Sequence, residues 1–352
     1  MTAYVRPRWD RRRPAQRASE GRWAHTYAAI DLGTNNCRLL VARPTRSGFR
    51  VIDAFSRIVR LGEGLGEAGQ LGEDAMDRTI EALKICADKM RRRGVDRRRS
   101  VATDACRRAG NGVAFLERVA AETGLTLETI SAEEEAGLAL KGCLPLIEPE
   151  APYALVFDIG GGSTEVMLMD ARNGGSDMTG WVSLPFGVVN LSERYGGGRL
   201  PVSVYDAMVA EVDFYLSPFC ERYDISAMVG RGEAQLLGTS GTVTTLTGVH
   251  LDLPRYDRAV VDGAFLNFDD IRVMCDRLRG QDCADRAAHP CIGAERADLV
   301  VAGCAILEAI CRRWPIGRLR VADRGLREGI LLNLIRDAEA EGRPPQGARN
   351  DK

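Results

Sequence analysis

The chain has 352 residues, of which 45% are hydrophobic and 28% charged, and its formal net charge is −1. This balance is typical of a globular protein of about two domains and argues against nucleic acid as a partner of the whole molecule. With three histidines, a histidine-rich metal site or a histidine-based triad is a poor expectation. Ten cysteines without a CxxC pair, no apolar leader and no apolar run of bilayer length predict a cytoplasmic protein with reduced thiols and no membrane segment.

Two copies of one pattern organise the chain. An apolar strand, an Asp-x-Gly turn and a second apolar strand occur over 28–41 and again over 155–168. A duplicated unit implies two similar domains, and the proline-rich stretch over 144–152 is the expected connection between them. We therefore expect a first domain over 26–148 and a second domain over 149–338, with a disordered basic tail over 1–25 and a disordered tail over 339–352. The last helix of the second domain is a candidate to pack back against the first.

Helical and strand-like patterns alternate along the rest of the chain. The predicted helices cover 72–93, 113–122, 132–143, 202–223, 271–279, 295–313 and 325–335. The predicted strands outside the repeats cover 100–103, 126–130, 181–184 and 319–322. Strands that alternate with helices predict an α/β fold with mixed sheets.

Each repeat carries a loop of small residues that suits a bound anion. Glycine lets backbone N–H groups turn towards an anion, and threonine and serine hydroxyls add further donors. The candidate phosphate-binding residues of the two loops are Gly33, Thr34, Asn35, Gly160, Gly161, Gly162, Ser163 and Thr164. Two such loops, one in each domain, predict a phosphate chain gripped from opposite walls of a cleft. A pair of plain hairpin turns is the alternative.

Two further features are candidates for binding phosphate. The glycine-rich stretch over 238–243 leads into an apolar helix, whose free N–H groups would attract an anion near Ser240 and Gly241. Arg107 follows a predicted strand and offers a planar fork to phosphate oxygens. A structural turn and an ordinary surface arginine are the respective alternatives.

Acidic residues next to the loops indicate a metal ion. Asp31 and Asp158 end apolar strands, where an unpaired charge is costly, and Glu165 follows the second loop. Oxygen ligands beside phosphates suit Mg²⁺, with Mn²⁺ as a substitute and a monovalent cation as an optional addition. The alternative is that the aspartates cap their own turns.

Glu135 is the candidate base that activates a nucleophile. Ser131 and Glu134 have the spacing of a capping box, which gives Glu134 a structural role and leaves Glu135 free to point elsewhere. Glu135 falls near the domain junction, where a cleft would open. Acidic neighbours raise its pKa and the helix N-terminus lowers it, and a solvated acidic first turn is the alternative.

These motifs resemble the exopolyphosphatase / guanosine pentaphosphate phosphohydrolase family, within the superfamily of actin, hexokinase and the heat-shock chaperone ATPases. The likeness extends from about Tyr27 to Leu334. The segments that carry it are 29–35, 131–136, 157–165, 183–187, 238–242 and 325–329. The resemblance implies two similar actin-like (ribonuclease H-like) domains, each a mixed sheet flanked by helices, around a cleft.

The resemblance also implies roles for individual residues. Glu135 matches the family's catalytic base, Asp158 and Glu165 match its magnesium-associated acids, and the loop from Gly160 to Ser163 matches its phosphate loop. Arg107 matches an arginine that faces the phosphate channel. The implied substrate is inorganic polyphosphate or pppGpp, and a homodimer is the implied assembly. A low-turnover alarmone-binding regulator and an ATP-dependent kinase on the same scaffold are the alternatives.

The chain departs from the family's pattern at two positions of the helix that carries Glu135. Ala132 stands where many members have glycine, and Gly137 stands where many have arginine. The missing arginine is expected to weaken the grip on long polyphosphate. The helical C-terminal region of the longer members, with its histidine and aspartate motifs, has no counterpart, so we expect a short form.

Overall fold

The computed structural model describes residues 25–46, 48–172 and 177–341. The predicted basic tail, apart from its last residue, lies outside the described residues, and so does the predicted C-terminal tail from 342 onwards. Residues 339–341 belong to the last helix, which corrects the predicted start of that tail.

The first sheet is built on the first repeat. Its strand order is β3-β2-β1-β4-β5, with β2 antiparallel to both β1 and β3, and with β4 and β5 added in parallel beside β1. The strands are β1 (Tyr27–Leu32), β2 (Asn36–Thr45), β3 (Gly48–Ile58), β4 (Arg97–Ala102) and β5 (Glu128–Thr129). The helices of this half are α1 (Leu65–Ala68), α2 (Glu73–Arg92), α3 (Asp104–Arg108), α4 (Gly112–Thr123) and α5 (Ala132–Cys143).

The second sheet repeats this topology and adds one edge strand, in the order β10-β11-β9-β6-β7-β8. Its strands are β6 (Tyr153–Ile159), β7 (Thr164–Asp170), β8 (Asp177–Leu184), β9 (Ala234–Thr239), β10 (Phe265–Asn267) and β11 (Arg318–Ala322). Its helices are α6 (Val188–Tyr195), α7 (Val202–Arg222), α8 (Ile225–Gly230), α9 (Gly241–His250), α10 (Arg258–Val261), α11 (Phe268–Gly280), α12 (Cys283–Ala287) and α13 (Val300–Arg313). The prediction of an α/β fold with two similar mixed sheets is confirmed.

Helix α5 and the last helix, α14 (Leu326–Glu341), pack against each other and link the two halves. Ala139 and Leu140 of α5 are buried in a cluster with residues of the second sheet. Ile330 and Ile335 of α14 are buried against the first sheet, so the chain crosses back after β11. The helix that carries Glu135 is therefore held by contacts with both halves.

Several predicted boundaries were wrong. The helix predicted over 295–313 begins at Val300, because residues 293–299 form hydrogen-bonded turns, in which the N–H of Leu299 donates to the Arg296 carbonyl at 3.0 Å. The strand predicted over 126–130 shrinks to two residues. Strands β3 and β9 and helix α6 lie where no element is predicted.

Within the described ranges, no helix combines the length and apolar character needed to cross a bilayer.

Candidate active site

A cavity between the two halves brings the two repeats together. The first repeat contributes Asp31, Gly33, Thr34 and Asn35 to its wall, and the second contributes Asp158, Gly160, Gly161, Gly162 and Ser163. The predicted base Glu135 and the predicted phosphate ligand Gly241 line the same cavity. Residues from four separate stretches of the chain, predicted to form one site, therefore face one space.

Each loop is closed by a hydrogen bond between a glycine and the residue three positions later. The N–H of Gly33 donates to the Asn36 carbonyl at 2.9 Å, and the N–H of Gly160 donates to the Ser163 carbonyl at 2.9 Å. The loops also meet each other, since a Cβ added at Gly162 would lie 2.8 Å from Oγ1 of Thr34. The two turns therefore contact each other where both line the same cavity.

The N-terminal turn of α6 fixes the second loop. Val188 and Val189 donate their N–H groups to the carbonyls of Gly160 and Gly161 at 3.0 and 2.8 Å. The side-chain amide of Asn190 donates to the Gly162 carbonyl at 2.9 Å. In a trans peptide the N–H group points away from the carbonyl of the same unit. The N–H groups that follow these three carbonyls are therefore turned away from α6, in an arrangement that suits an anion.

Glu135 is presented by the first turn of α5. Oγ of Ser131 accepts the N–H of Glu134 at 3.1 Å, which is half of the predicted capping box. The Glu134 side chain pairs with Arg99 at 2.5 Å instead of returning to Ser131, so the other half was wrong. Glu135 is left to face the cavity.

Arg107 is the cationic partner of Glu135. Its Nη1 donates to Oε2 of Glu135 at 3.2 Å and to the Ile130 carbonyl at 2.8 Å. Burial raises the pKa of Glu135 well above its usual value, the charge of Glu165 adds to the rise, and Arg107 opposes it. A buried carboxylate whose pKa is raised is a better base than a solvated one, as general-base catalysis near neutral pH requires.

Asp158 and Glu165 form a pair of like charges on one face of the second sheet. They are direct partners in the antiparallel register of β6 and β7. Glu165 is buried and accepts a hydrogen bond from Oγ of Ser183 at 2.8 Å. Burial first, and then the charge of Glu165, raise the pKa of Asp158 to about 7. Two adjacent carboxylates, one buried and one partly buried, favour a bound cation, which would offset this repulsion.

The residues suit a magnesium ion that takes few protein ligands, and they do not form a site in which protein side chains supply all the ligands. Among the described residues, no three His, Cys, Asp or Glu side chains come together as a metal-binding group. Mg²⁺ usually takes one or two protein carboxylates and completes its shell with water and substrate phosphate. Asp158 and Glu165 supply that number. Asp31 lines the same cavity, directly opposite Arg38 in the register of β1 and β2.

Two predicted phosphate-binding hydroxyls are used by the fold. Thr164 is buried, and its hydroxyl donates to the Phe186 carbonyl at 2.9 Å. Oγ of Ser240 accepts the N–H of Val243 at 3.2 Å and so caps α9, on the wall of an adjoining pocket. A buried hydroxyl needs a partner, and here the backbone provides it. Neither residue lines the first cavity.

Arg38 and Arg296 are cavity residues that the sequence did not reveal. Both line the cavity between the loops and also an adjoining pocket, where Arg327 joins them. Burial first, and then the charge of Arg38, lower the pKa of Arg296. Two guanidinium groups that repel each other in one cavity are stabilised by an anion bound between them. The available signal was Arg38 itself, a charged residue within the otherwise apolar run over 37–42.

Two anion-binding loops, a partly buried glutamate and converging arginines in an interdomain cleft define a protein that handles phosphate groups. The chain belongs to the Ppx/GppA phosphatase family, whose model matches residues 40–338. Homologues in this family are phosphohydrolases of the exopolyphosphatase and pppGpp phosphohydrolase types.

Individual relatives agree with this assignment. The chain is 31% identical to Exopolyphosphatase 2 of Mycobacterium tuberculosis, over 87% of this chain and 98% of that protein. It is 29% identical to the guanosine-5'-triphosphate,3'-diphosphate pyrophosphatase of Photobacterium profundum, over 88% of this chain and 59% of that longer protein. The solved structure of the Aquifex aeolicus PPX-GPPA enzyme matches with a TM-score of 0.73 and 30% identity, over 88% of this chain and 99% of that one. The two mixed sheets therefore have the actin-like fold of this family.

Proposed function

We propose that this protein is an Mg²⁺-dependent exopolyphosphatase that releases the terminal phosphate of inorganic polyphosphate. The observation that carries the proposal is the meeting of two equivalent glycine loops, each closed by a 2.9 Å hydrogen bond, in a cavity that Glu135 also lines. Loops of this kind bind the oxygens of a phosphate group through N–H groups. A carboxylate beside them supplies a base for water.

In the proposed reaction the loops hold the terminal phosphate while Glu135 binds and deprotonates a water molecule. The water oxygen forms a bond to the terminal phosphorus, and the P–O bond to the rest of the chain breaks on the opposite side. The products are orthophosphate and a polyphosphate shortened by one unit. The water proton is held at the Glu135 carboxylate and is then released to solvent.

Other residues position and neutralise the polyanion. Arg38 and Arg296 bind the phosphates that follow the terminal one, since both line the cavity and the pocket that continues from it. Arg107 keeps the Glu135 carboxylate oriented. Asp158 and Glu165 would hold Mg²⁺, which supplies compensation for the charge on phosphate oxygens.

The second candidate is a pppGpp phosphohydrolase that forms ppGpp. The adjoining pocket favours it, because it shares Arg38 and Arg296 with the first cavity and includes the ring of Tyr256, which gives a nucleoside a place beyond the phosphates. The relative from Photobacterium profundum is named for action on such a nucleotide. Family likeness also supports a cytoplasmic homodimer as part of the proposal.

Phosphate release from polyphosphate and from pppGpp, measured side by side with Mg²⁺, separates these functions. We expect faster release from polyphosphate at equal concentrations of chain ends. Faster release from pppGpp would favour the second candidate. Tight alarmone binding without release from either substrate would indicate a regulator and contradict both enzymatic proposals.

A further inference from the structure

An ion pair joins the two halves of the protein at the rim of the cleft. Nη1 and Nη2 of Arg60, which follows β3, donate to Oδ2 and Oδ1 of Asp298 at 2.9 and 3.0 Å. Nη2 also donates to the Glu295 carbonyl at 3.1 Å. A two-bond fork between arginine and carboxylate fixes orientation as well as distance. The pair therefore restrains how the two halves face each other.

The backbone around Arg60 supports the first phosphate loop. The Asn35 carbonyl accepts the N–H groups of Val59 and Arg60 at 2.9 and 3.1 Å, and the Thr34 carbonyl accepts the N–H of Gly62 at 2.9 Å. Arg60 has a φ of 49°, in the left-handed region that residues other than glycine rarely adopt. Such a conformation persists where the surrounding contacts dictate it, and it often marks a functional constraint.

On the other side, Asp298 belongs to the turn that presents Arg296 to the cavity. The Asp298 carbonyl accepts a hydrogen bond from Oγ of Ser192 at 2.8 Å, and the Arg296 carbonyl accepts the N–H of Leu299 at 3.0 Å. Leu299 lines the cavity together with Arg296. Arg60 therefore grips the short segment whose conformation determines where the Arg296 guanidinium lies.

A second bond strengthens this connection. The N–H of Gly64, four residues after Arg60, donates to Oε1 of Glu193 at 2.9 Å. Glu193 belongs to α6, the helix whose first turn holds the second phosphate loop. The segment over 59–64 thus contacts the first loop, the turn that carries Arg296 and the helix behind the second loop.

We propose that Arg60 is a positioning residue: through its fork to Asp298 it couples the first phosphate loop to the Arg296 turn and holds the cleft closed around the polyanion. The identity of the bound polyanion rests on the proposed function, whereas the role of Arg60 in holding the two halves together does not. The predicted consequence is a loss of affinity for the phosphate chain when the fork is broken, with the bond-breaking step largely unchanged.

The test compares Arg60→Gln, Asp298→Asn and the double variant with the parent protein. Arg118→Gln is the matched control, because Arg118 pairs with Asp77 and Glu122 within the first half. We expect each single variant to raise KM for polyphosphate about fivefold or more, with kcat within about twofold, and the double variant to be no worse than either. Arg60→Lys, which keeps the charge and loses the fork, should recover part of the affinity.

Small-angle X-ray scattering without substrate gives a readout that does not depend on catalysis. We expect Arg60→Gln and Asp298→Asn to increase the radius of gyration, while Arg118→Gln leaves it unchanged. Additive effects in the double variant, or KM and radius values equal to the control, would overturn the proposal. If the parent protein releases no phosphate from either substrate, the proposed function fails, and the scattering comparison still decides whether Arg60 closes the cleft.

Discussion

Gly187 packs so closely against the second phosphate loop that no side chain fits between them. A methyl group on Gly187 would lie 2.3 Å from the carbonyl oxygen of Gly160 and 2.5 Å from the carbonyl carbon of Gly161. Ordinary contacts begin at 3.4 Å, so the loop would have to move by about 1 Å. A displacement of about 1 Å near reacting groups costs about 100-fold in rate, or about 2.7 kcal/mol of transition-state stabilisation.

Gly187→Ala should therefore lower kcat/KM for the preferred substrate by about 100-fold. The overpacked contact should also lower the free energy of unfolding by about 1–3 kcal/mol, measured by urea denaturation. Gly198→Ala is the control, because its methyl group would meet no atom within 4 Å. A Gly187→Ala protein that loses stability but keeps the kcat/KM of this control would refute the assignment of the loop to phosphate binding.

Three further predictions concern the carboxylates and their helix. Since Arg107 lowers the raised pKa of Glu135, and the base must be ionised, Arg107→Gln should move the acidic limb of the pH–rate profile to higher pH. Asp158→Asn should raise the Mg²⁺ concentration for half-maximal activity by about tenfold or more, in a metal titration after chelation. Gly137→Ala should raise the free energy of unfolding by about 0.5–1 kcal/mol, because a Cβ there meets nothing within 4 Å.

The outcomes that count against these predictions are equally direct. An acidic limb that stays in place in Arg107→Gln would mean that Glu135 is not the titrating base. An unchanged Mg²⁺ dependence in Asp158→Asn would remove Asp158 from the metal site. A loss of stability in Gly137→Ala, measured by urea denaturation, would mean that its surroundings require glycine. In that case an arginine at position 137 would not be expected to improve the binding of long polyphosphate.

The phosphate loops are predictable because a short local pattern determines them. The same strand, turn and strand occur twice, and each turn closes through the same bond, from Gly33 to Asn36 and from Gly160 to Ser163. Glu135 is predictable for a similar reason, because the Ser131 cap determines where α5 begins. Patterns of this length need no tertiary information.

Residues whose roles depend on tertiary packing were missed. Arg296 lies in turns after Gly293, whose φ is 70°, whereas the apolar periodicity predicts a helix from Glu295. Strand β9 was missed because Gly238 suggests a loop, yet a Cβ there would lie 2.5 Å from the ring of Phe157, so the glycine is needed for packing. The Thr164 hydroxyl was assigned to phosphate because sequence does not show which hydroxyls become buried.

Phosphate release by Glu135→Gln, compared with Glu134→Gln, shows whether Glu135 is the catalytic base. Glu134 is the matched control, since it is the neighbouring residue and pairs with Arg99. Because folding raises the pKa of Glu135, the folded chain becomes less stable as pH rises through that raised value, and the neutral glutamine removes this cost. The melting temperature of Glu135→Gln at pH 8 should therefore be no lower than that of the parent.

Because the variant is then folded, a change in kcat reports the loss of the base and not a loss of folded protein. We predict that Glu135→Gln lowers kcat by about 10²- to 10⁴-fold on whichever substrate the parent prefers, while Glu134→Gln stays near the parental rate. A Glu135→Gln protein that releases phosphate as fast as the parent would show that Glu135 is not the base.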